Sequence, residues 1–259
     1  MMDTIEIEQN ARGVATLWLS RPEKRNAMSA QMIAELTQAA QDLNTGGARV
    51  VVLRARGDVF CAGGDLGWMR AQMEADRATR AREARNLAMM LKALNELQKP
   101  LIGAVEGNSF GGGVGLMSVC DVVIARPSAK FALTETKLGL IPATIGPYVV
   151  ARLGAGAARQ VFMSGRLFDA PEAVRLGLVA QATDDVDGAI DAEITAYLSC
   201  APSAVAAAKS LVHRLDGIAD AAIDDSIQAL VTQWESPEAQ QGIAAFFDKQ
   251  AAPWVQTPS

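Results

Sequence analysis

The sequence predicts an α/β protein in which a mixed core is followed by a helical C-terminal region. Short continuous apolar runs alternate with helical stripes, as in sheets that are covered by helices. Two of the apolar runs pass through glycine-rich corners into helices, and the pattern becomes helical from about residue 186 to the end. We therefore predict an α/β core over residues 1–201 and a helical region over residues 202–259.

The N-terminal part is predicted to begin with a hairpin, because residues 4–8 and 14–19 alternate around a turn. Ser29 is a suitable N-cap for a helix whose apolar residues share one face. Residues 50–53 form a short apolar run, which indicates a buried strand of the parallel type. Residues 68–85 are charged and rich in arginine, and we predict a mobile, partly exposed helix or loop there.

The rest of the chain continues the α/β pattern. Four segments carry it: predicted strands at residues 101–105 and 122–125, and predicted helices at residues 152–164 and 170–176. Ser236 followed by Pro237 indicates the start of a last helix, with an N-cap and a proline in the first turn.

Composition excludes several classes of function. The 259 residues are 50% hydrophobic with a net charge of -5 and no long basic run, which argues against a nucleic-acid surface. Three cysteines without metal-ligand spacing and an acidic, polar N-terminus predict a cytoplasmic protein with no metal site. The apolar residues 101–125 contain Glu106, Asn108 and Asp121, so we expect no membrane span. His213, the single histidine, lies in a helical pattern typical of a surface or packing residue.

The two glycine corners, at residues 60–66 and 107–116, carry the predicted chemistry. A strand that passes through glycines into a helix leaves free backbone N–H groups at the positive end of the helix dipole. The corner at residues 107–116 lacks the spacing of a nucleotide-binding loop. Two such corners predict two N–H donors that converge on one oxygen, an oxyanion hole. Glu135 follows both corners and is the acid/base candidate, with a structural turn-capping role as the alternative.

Three motifs resemble the crotonase family of enoyl-CoA hydratases and isomerases: FCAGGDL, GNSFGGGVGL and FALTETKLGLIP. The resemblance extends to RPEKRNAMS, SGRLFDAPEAVRLGLV and FFDKQAAPW, so it spans nearly the whole chain. It implies a spiral of ββα units and a C-terminal helical region that packs in a homotrimer or a dimer of trimers. It also implies an acyl-CoA substrate, with coenzyme A present only as part of that substrate and no separate cofactor.

The resemblance also implies roles for individual residues. The N–H groups of Ala62 and Gly112 would hold the thioester carbonyl oxygen and stabilise an enolate, with Glu135 as acid/base. The other implied substrate contacts are Lys24, Arg25, Gly64, Asp65, Leu66, Gly111, Gly115 and Lys249, the last reaching a CoA phosphate of a neighbouring subunit.

The chain departs from the family at Gly115, where typical hydratases carry the first of two glutamates. One general acid/base group is worth about 10²–10⁴-fold in rate, so the difference matters to mechanism. GGGVGL, the Trp-Met pair after AGGDL, and ETKLGLIPATIGPYVV resemble a bacterial branch that acts on methylglutaconyl-CoA and related branched acyl-CoAs in leucine and isoprenoid breakdown. The second carboxylate of such a substrate would need a cation, and the candidates are Arg56, Arg70, Lys137 and Arg152.

We therefore expect the hydration of a branched 2-enoyl-CoA with Glu135 as acid/base. Three alternatives stay open at this point. A double-bond isomerase needs only one carboxylate, and a decarboxylase needs chiefly the oxyanion hole. A non-catalytic acyl-CoA-binding protein is the third, although such a protein gains nothing from a carboxylate beside the thioester.

Overall fold

The computed structural model describes residues 2–215 and 220–255. A six-stranded sheet forms its centre, and all neighbouring strands in it are parallel except the first pair, which forms the predicted hairpin. Its strands, in spatial order, are β1 (Ile5–Gln9), β2 (Val14–Leu19), β3 (Val50–Ala55), β5 (Leu101–Val105), β7 (Val122–Ala125) and β10 (Gln181–Ala182).

The chain passes repeatedly from the large sheet into a smaller, four-stranded sheet. Its strands, in order, are β4 (Val59–Cys61), β6 (Asn108–Phe110), β8 (Lys130–Ala132) and β9 (Phe168–Asp169). The pairs β3–β4, β5–β6 and β7–β8 each pass from the large sheet to the small one, and successive pairs lie side by side. This stepwise repetition is the spiral of ββα units that the resemblance implied.

Ten α-helices surround the sheets in the described residues. They are α1 (Ala30–Thr45), α2 (Leu66–Glu74), α3 (Arg77–Asn95), α4 (Gly112–Ser118), α5 (Gly146–Phe162), α6 (Ala170–Arg175), α7 (Val186–Leu198), α8 (Pro202–Leu215), α9 (Asp220–Trp234) and α10 (Pro237–Phe247). The predicted caps are present: the Ser29 side chain accepts from the N–H of Met32, and that of Ser236 from the N–H of Ala239.

The charged segment at residues 68–85 is helical, in α2 and α3, and is attached more firmly than its composition suggested. Asp76 caps α3 by accepting from the N–H of Thr79. The buried Arg80 side chain donates to the carbonyl oxygens of Gln72 and Met73, at 2.8 and 3.0 Å. This arginine satisfies the open carbonyls at the end of α2 and joins the two helices.

The inner strands of the large sheet are buried on both faces. On one face, Val50, Val52 and Ile102 pack with Val186 and Ile190 of α7. The opposite face belongs to the main core, which lies beneath α1, α3, α4 and α5. Burial on both faces explains why these strands are continuous apolar runs rather than alternating ones.

The helices α9 and α10 pack into that same main core. Ile227, Val231 and Trp234 of α9 and Ile243 of α10 are buried there, and α9 lies against α3. The division of the chain at residue 202 stays a prediction. The packing nevertheless brings side chains from the C-terminal region next to the glycine corners.

Candidate active site

The two glycine corners lie next to each other because β4 and β6 are neighbouring parallel strands, with Cys61 opposite Ser109. Each strand ends in a corner that leads into a helix, α2 in one case and α4 in the other. The contact leaves no room for larger residues. A Cβ atom on Gly113 would lie 2.8 Å from Cys61 Cβ and 2.9 Å from its carbonyl oxygen.

In each corner, a glycine with positive φ directly precedes a glycine whose N–H is unused. Gly63 has φ +94° and precedes Gly64, and Gly111 has φ +49° and precedes Gly112. Positive φ is accessible to glycine at little cost. Within the described part of the chain, the N–H groups of Gly64 and Gly112 donate to no protein acceptor.

The first corner corrects the donor expected at Ala62. The Ala62 N–H donates to the carbonyl oxygen of Arg25 at 3.0 Å, so it is occupied within the fold. A backbone amide carries a single proton and cannot serve a second acceptor equally well. The N–H groups of Gly64 and Gly112 are unused, so the structure favours Gly64 over Ala62 as the donor of the first corner, together with Gly112 in the second. Ala62 still lines the site through its other atoms.

Glu135 lies beside the second corner, in a 3-10 turn that follows β8. A Cβ atom on Gly111 would be 3.0 Å from Glu135 Oε1, so only a glycine fits there without displacing the carboxylate. Although the residue as a whole keeps some exposure, its Oε2 atom has no accessible surface and no hydrogen-bond partner among the described residues. Burial raises the pKa of Glu135 from 4.5 to about 7.

Residues that follow Glu135 in the chain fix the position of the turn that carries it. Its carbonyl oxygen accepts from the N–H of Leu140 at 3.0 Å. Gly139, with φ +74°, lies so close to α10 that an added Cβ would be 2.6 Å from the Glu238 carbonyl. The side chain of Gln233 donates to the Gly139 carbonyl oxygen at 2.6 Å. These contacts explain how helices distant in sequence fix the position of the carboxylate.

A cavity of about 500 Å³ joins the two corners and Glu135. Most of its wall is apolar, with contributions from α2, α9 and α10. In the described lining, Glu135 is the single carboxylate and Lys137 the single cation. The predicted site residues in this lining are Ala62, Gly64, Leu66, Gly111, Gly112 and Glu135. An apolar pocket with a few convergent polar groups is the usual form of a small-molecule site.

Gly115 lies one turn into α4, behind the wall of this cavity. A Cβ atom there would be 2.4 Å from Ile145 Cγ2, and Ile145 itself lines the cavity. The space that a second carboxylate at position 115 would occupy is therefore filled by the Ile145 side chain.

Four predicted coenzyme A contacts lie outside the cavity lining: Lys24, Arg25, Asp65 and Lys249. Lys24, Arg25 and Lys249 are exposed, as contacts to a solvated nucleotide would be. Asp65 has a structural role, because it caps α2 and pairs with Arg21 at 3.2 Å. The buried Asn26 fixes the Lys24–Arg25 loop by donating to the carbonyls of Arg56 and Val59.

The four candidate cations for the second carboxylate of the substrate have different surroundings in the structure. Arg56 pairs with Glu6 and Glu8 and stacks on Trp18. Arg152 donates to the carbonyls of Cys120 and Asp121, at the end of α4. Arg70 lies 4.7 Å from the ring centre of Phe247 and is not in the lining. Lys137 is the one of the four that lines the cavity.

Comparison with known proteins decides the family. The sequence profile of the family described as Enoyl-CoA hydratase/isomerase matches residues 9–257. The chain belongs to the enoyl-CoA hydratase/isomerase family. A protein of Thermus thermophilus is 33% identical over 243 residues, which cover 91% of this chain and 95% of the relative.

Solved structures of this family agree in fold over nearly the full length. An enoyl-CoA hydratase from Mycobacterium avium superimposes with a TM-score of 0.88 at 32% identity, covering 98% of this chain and 100% of that one. One from Shewanella pealeana gives a TM-score of 0.82 at 35% identity, covering 98% and 97%. These matches confirm the predicted crotonase fold of an enoyl-CoA hydratase/isomerase. No helix in the described residues is long and apolar enough to cross a membrane.

Sequence reasoning about this enoyl-CoA hydratase/isomerase missed the importance of two cavity residues. Ile145 was seen only as part of a motif, although it fills the space next to Gly115. Trp68 was likewise seen as part of a motif and was assigned to a charged, partly exposed segment, yet it lines the cavity beside the first corner. The only signal in the sequence was weak. Trp68 follows Asp65 by one helical turn, so both residues lie on the side of α2 that faces the first corner.

Proposed function

We propose that this enzyme hydrates a 2-enoyl-CoA, with Glu135 acting alone as the acid/base group. The observation that carries the proposal is the Glu135 carboxyl. Its pKa is raised to about 7, and its Oε2 is unpaired in a cavity that also holds two unused N–H donors. A structural carboxylate would be paired, whereas a proton carrier works best with a pKa near the working pH.

The N–H groups of Gly64 and Gly112 hold the thioester carbonyl oxygen. As water adds to C3, the electrons of the C2=C3 double bond move toward that oxygen, and the two donors meet the developing negative charge. Removing one oxyanion-hole donor typically costs about 3–4 kcal/mol of transition-state stabilisation. Both donors are backbone groups on fixed corners, so they are oriented before the substrate arrives.

Glu135 serves both proton transfers. It accepts a proton from the water whose oxygen forms the bond to C3, which produces the enolate. It then returns that proton to C2 while the carbonyl re-forms. The net change is the addition of one water across the double bond. A second carboxylate is unnecessary because the same group is the base in the first half and the acid in the second.

The substrate that we propose is branched and resembles methylglutaconyl-CoA in carrying a second carboxylate. The apolar wall and the volume of about 500 Å³ suit a branched acyl chain. Lys137 supports the second carboxylate, because it lines the cavity and forms no ion pair with any described residue. In this proposal Lys24 and Arg25, which are exposed, bind the phosphates of coenzyme A.

Glu135→Gln tests the acid/base role. The amide keeps the size of the side chain but cannot accept a proton at neutral pH. We expect turnover to fall by at least about 10²-fold with acyl-CoA binding nearly unchanged. Glu74→Gln, which neutralises an exposed carboxylate on α2, is the matched control and should have full activity. A folded Glu135→Gln enzyme with normal turnover would refute the role.

Double-bond isomerisation is the second candidate, because the described lining holds one carboxylate and an isomerase needs no more. Reactions in H₂¹⁸O separate the two activities by mass spectrometry. Hydration adds ¹⁸O to the product of a 2-enoyl-CoA, whereas isomerisation of a 3-enoyl-CoA adds no oxygen. A decarboxylase would keep its activity in Glu135→Gln, and a binding protein would form no product from any enoyl-CoA.

A further inference from the structure

Trp68 lines the cavity beside the first corner. It lies in the first turn of α2, where Asp65 caps the helix. Its ring covers Gly64: a Cβ atom on that glycine would be 3.7 Å from Trp68 Cε3. Gly64 carries one of the two donors for the thioester oxygen, so the indole lies close to the substrate's reacting end.

The indole N–H of Trp68 is the feature that the proposed hydration does not use. The Nε1 atom has no accessible surface and no hydrogen-bond partner among the described residues. A buried donor without an acceptor is unfavourable, and few occur in native proteins. A phenylalanine would supply a similar apolar wall without that cost. The unpaired donor therefore indicates an acceptor that arrives with the substrate.

Within the described cavity lining, one other side-chain polar atom is both buried and unpaired, Glu135 Oε2. That atom acts at the double bond, and the thioester oxygen is served by the backbone donors. The Trp68 N–H is thus left for a different oxygen, one on the acyl chain.

We propose that Trp68 is a specificity-determining residue whose indole turns when the substrate enters, so that its N–H, buried in the free protein, donates to an oxygen on the acyl group. This inference rests on the proposed function and narrows its substrate class to 2-enoyl-CoAs whose acyl chain carries a hydrogen-bond acceptor beyond the thioester. Both a carboxylate and a neutral carbonyl offer such an oxygen, and the experiment distinguishes them.

The test compares Trp68→Phe with the unchanged enzyme on three matched substrates. These are 3-methylglutaconyl-CoA, its distal methyl ester, and 3-methylcrotonyl-CoA, whose acyl group has no oxygen beyond the thioester carbonyl. For the carboxylate we expect kcat/KM to fall by about 10-fold or more, since hydrogen bonds to charged groups are the stronger ones. The ester should lose a few-fold, and 3-methylcrotonyl-CoA should change by less than about twofold. The loss should appear mainly in KM, because the acyl oxygen does not change during the reaction.

The ratio of kcat/KM for two substrates on one preparation does not depend on the fraction that is correctly folded. An equal loss on all three substrates would make Trp68 a structural wall and overturn the inference, as would no loss on any. Equal losses for carboxylate and ester alone would support a neutral acceptor. If the unchanged enzyme forms no hydrated product from any of the three, the proposed hydration itself fails. If it hydrates them through Glu135 without this discrimination, only the role of Trp68 is lost.

Discussion

The raised pKa of the buried Glu135 affects both the activity and the stability of the protein. Its pKa is about 7 in the folded protein and 4.5 in the unfolded chain, so the folded state binds more protons between these values. The contribution of Glu135 to the free energy of unfolding is therefore greatest below pH 4.5. It is lost as the pH rises toward 7. Protonation removes the cost of burying a charge, whereas ionisation restores it.

Glu135→Gln should consequently stabilise the protein at high pH. The amide is never charged, so the variant escapes the cost that the carboxylate incurs above its folded pKa. The shift corresponds to about 3 kcal/mol at pH 8, and the advantage should shrink toward pH 5. Urea unfolding of both proteins at pH 5 and pH 8 measures this. A difference in stability that does not change with pH would contradict the buried, uncharged state of Glu135.

Gly115 and Ile145 form a residue pair that determines whether a second carboxylate fits. Gly115→Glu alone should destabilise the protein and lower activity on methylglutaconyl-CoA, because the new Cβ would collide with Ile145. Adding Ile145→Gly frees that space. We expect the double variant to unfold at a higher urea concentration than the single one and to hydrate crotonyl-CoA faster. Rates that are equal in both variants would show that Ile145 does not control access.

At the scale of elements, each corner depends on a strand, a glycine turn and a helix start that position one N–H. Gly112→Ala and Gly112→Pro both place a Cβ against the Met28 side chain, but only proline removes the N–H. We expect proline to reduce kcat by a further factor of about 10²–10³ relative to alanine. Circular dichroism checks that both fold. Equal activities would remove Gly112 from the oxyanion hole.

At the scale of the whole molecule, the predicted trimer or dimer of trimers remains to be tested. Ile223, Leu230 and Trp234 of the C-terminal helices are buried within the chain itself and offer no surface to another subunit. Phe246 stays exposed, as do Leu211, Val212 and Leu215 of α8. Light scattering at micromolar concentration should give three or six times the 27.3 kDa of one chain. A mass of one chain would contradict the assembly.

The sequence by itself determined the features that depend on neighbouring residues. The hairpin, the caps at Ser29 and Ser236, and the two corners follow from local backbone preferences and the spacing of apolar side chains. Glu135 was also predicted from the sequence, as an acidic residue that follows both corners.

Tertiary structure decided what depends on contacts between distant segments. The Ala62 N–H is occupied because the loop at Arg25 folds against it, whereas the Gly64 N–H is unused. Ile145 reaches Gly115 from a later element, and Arg80 is buried although its neighbours are charged. Local sequence patterns indicate which hydrogen-bonding and acid/base groups a segment contains. Only the packing of segments decides which of those groups are already bonded, covered or left free for a substrate.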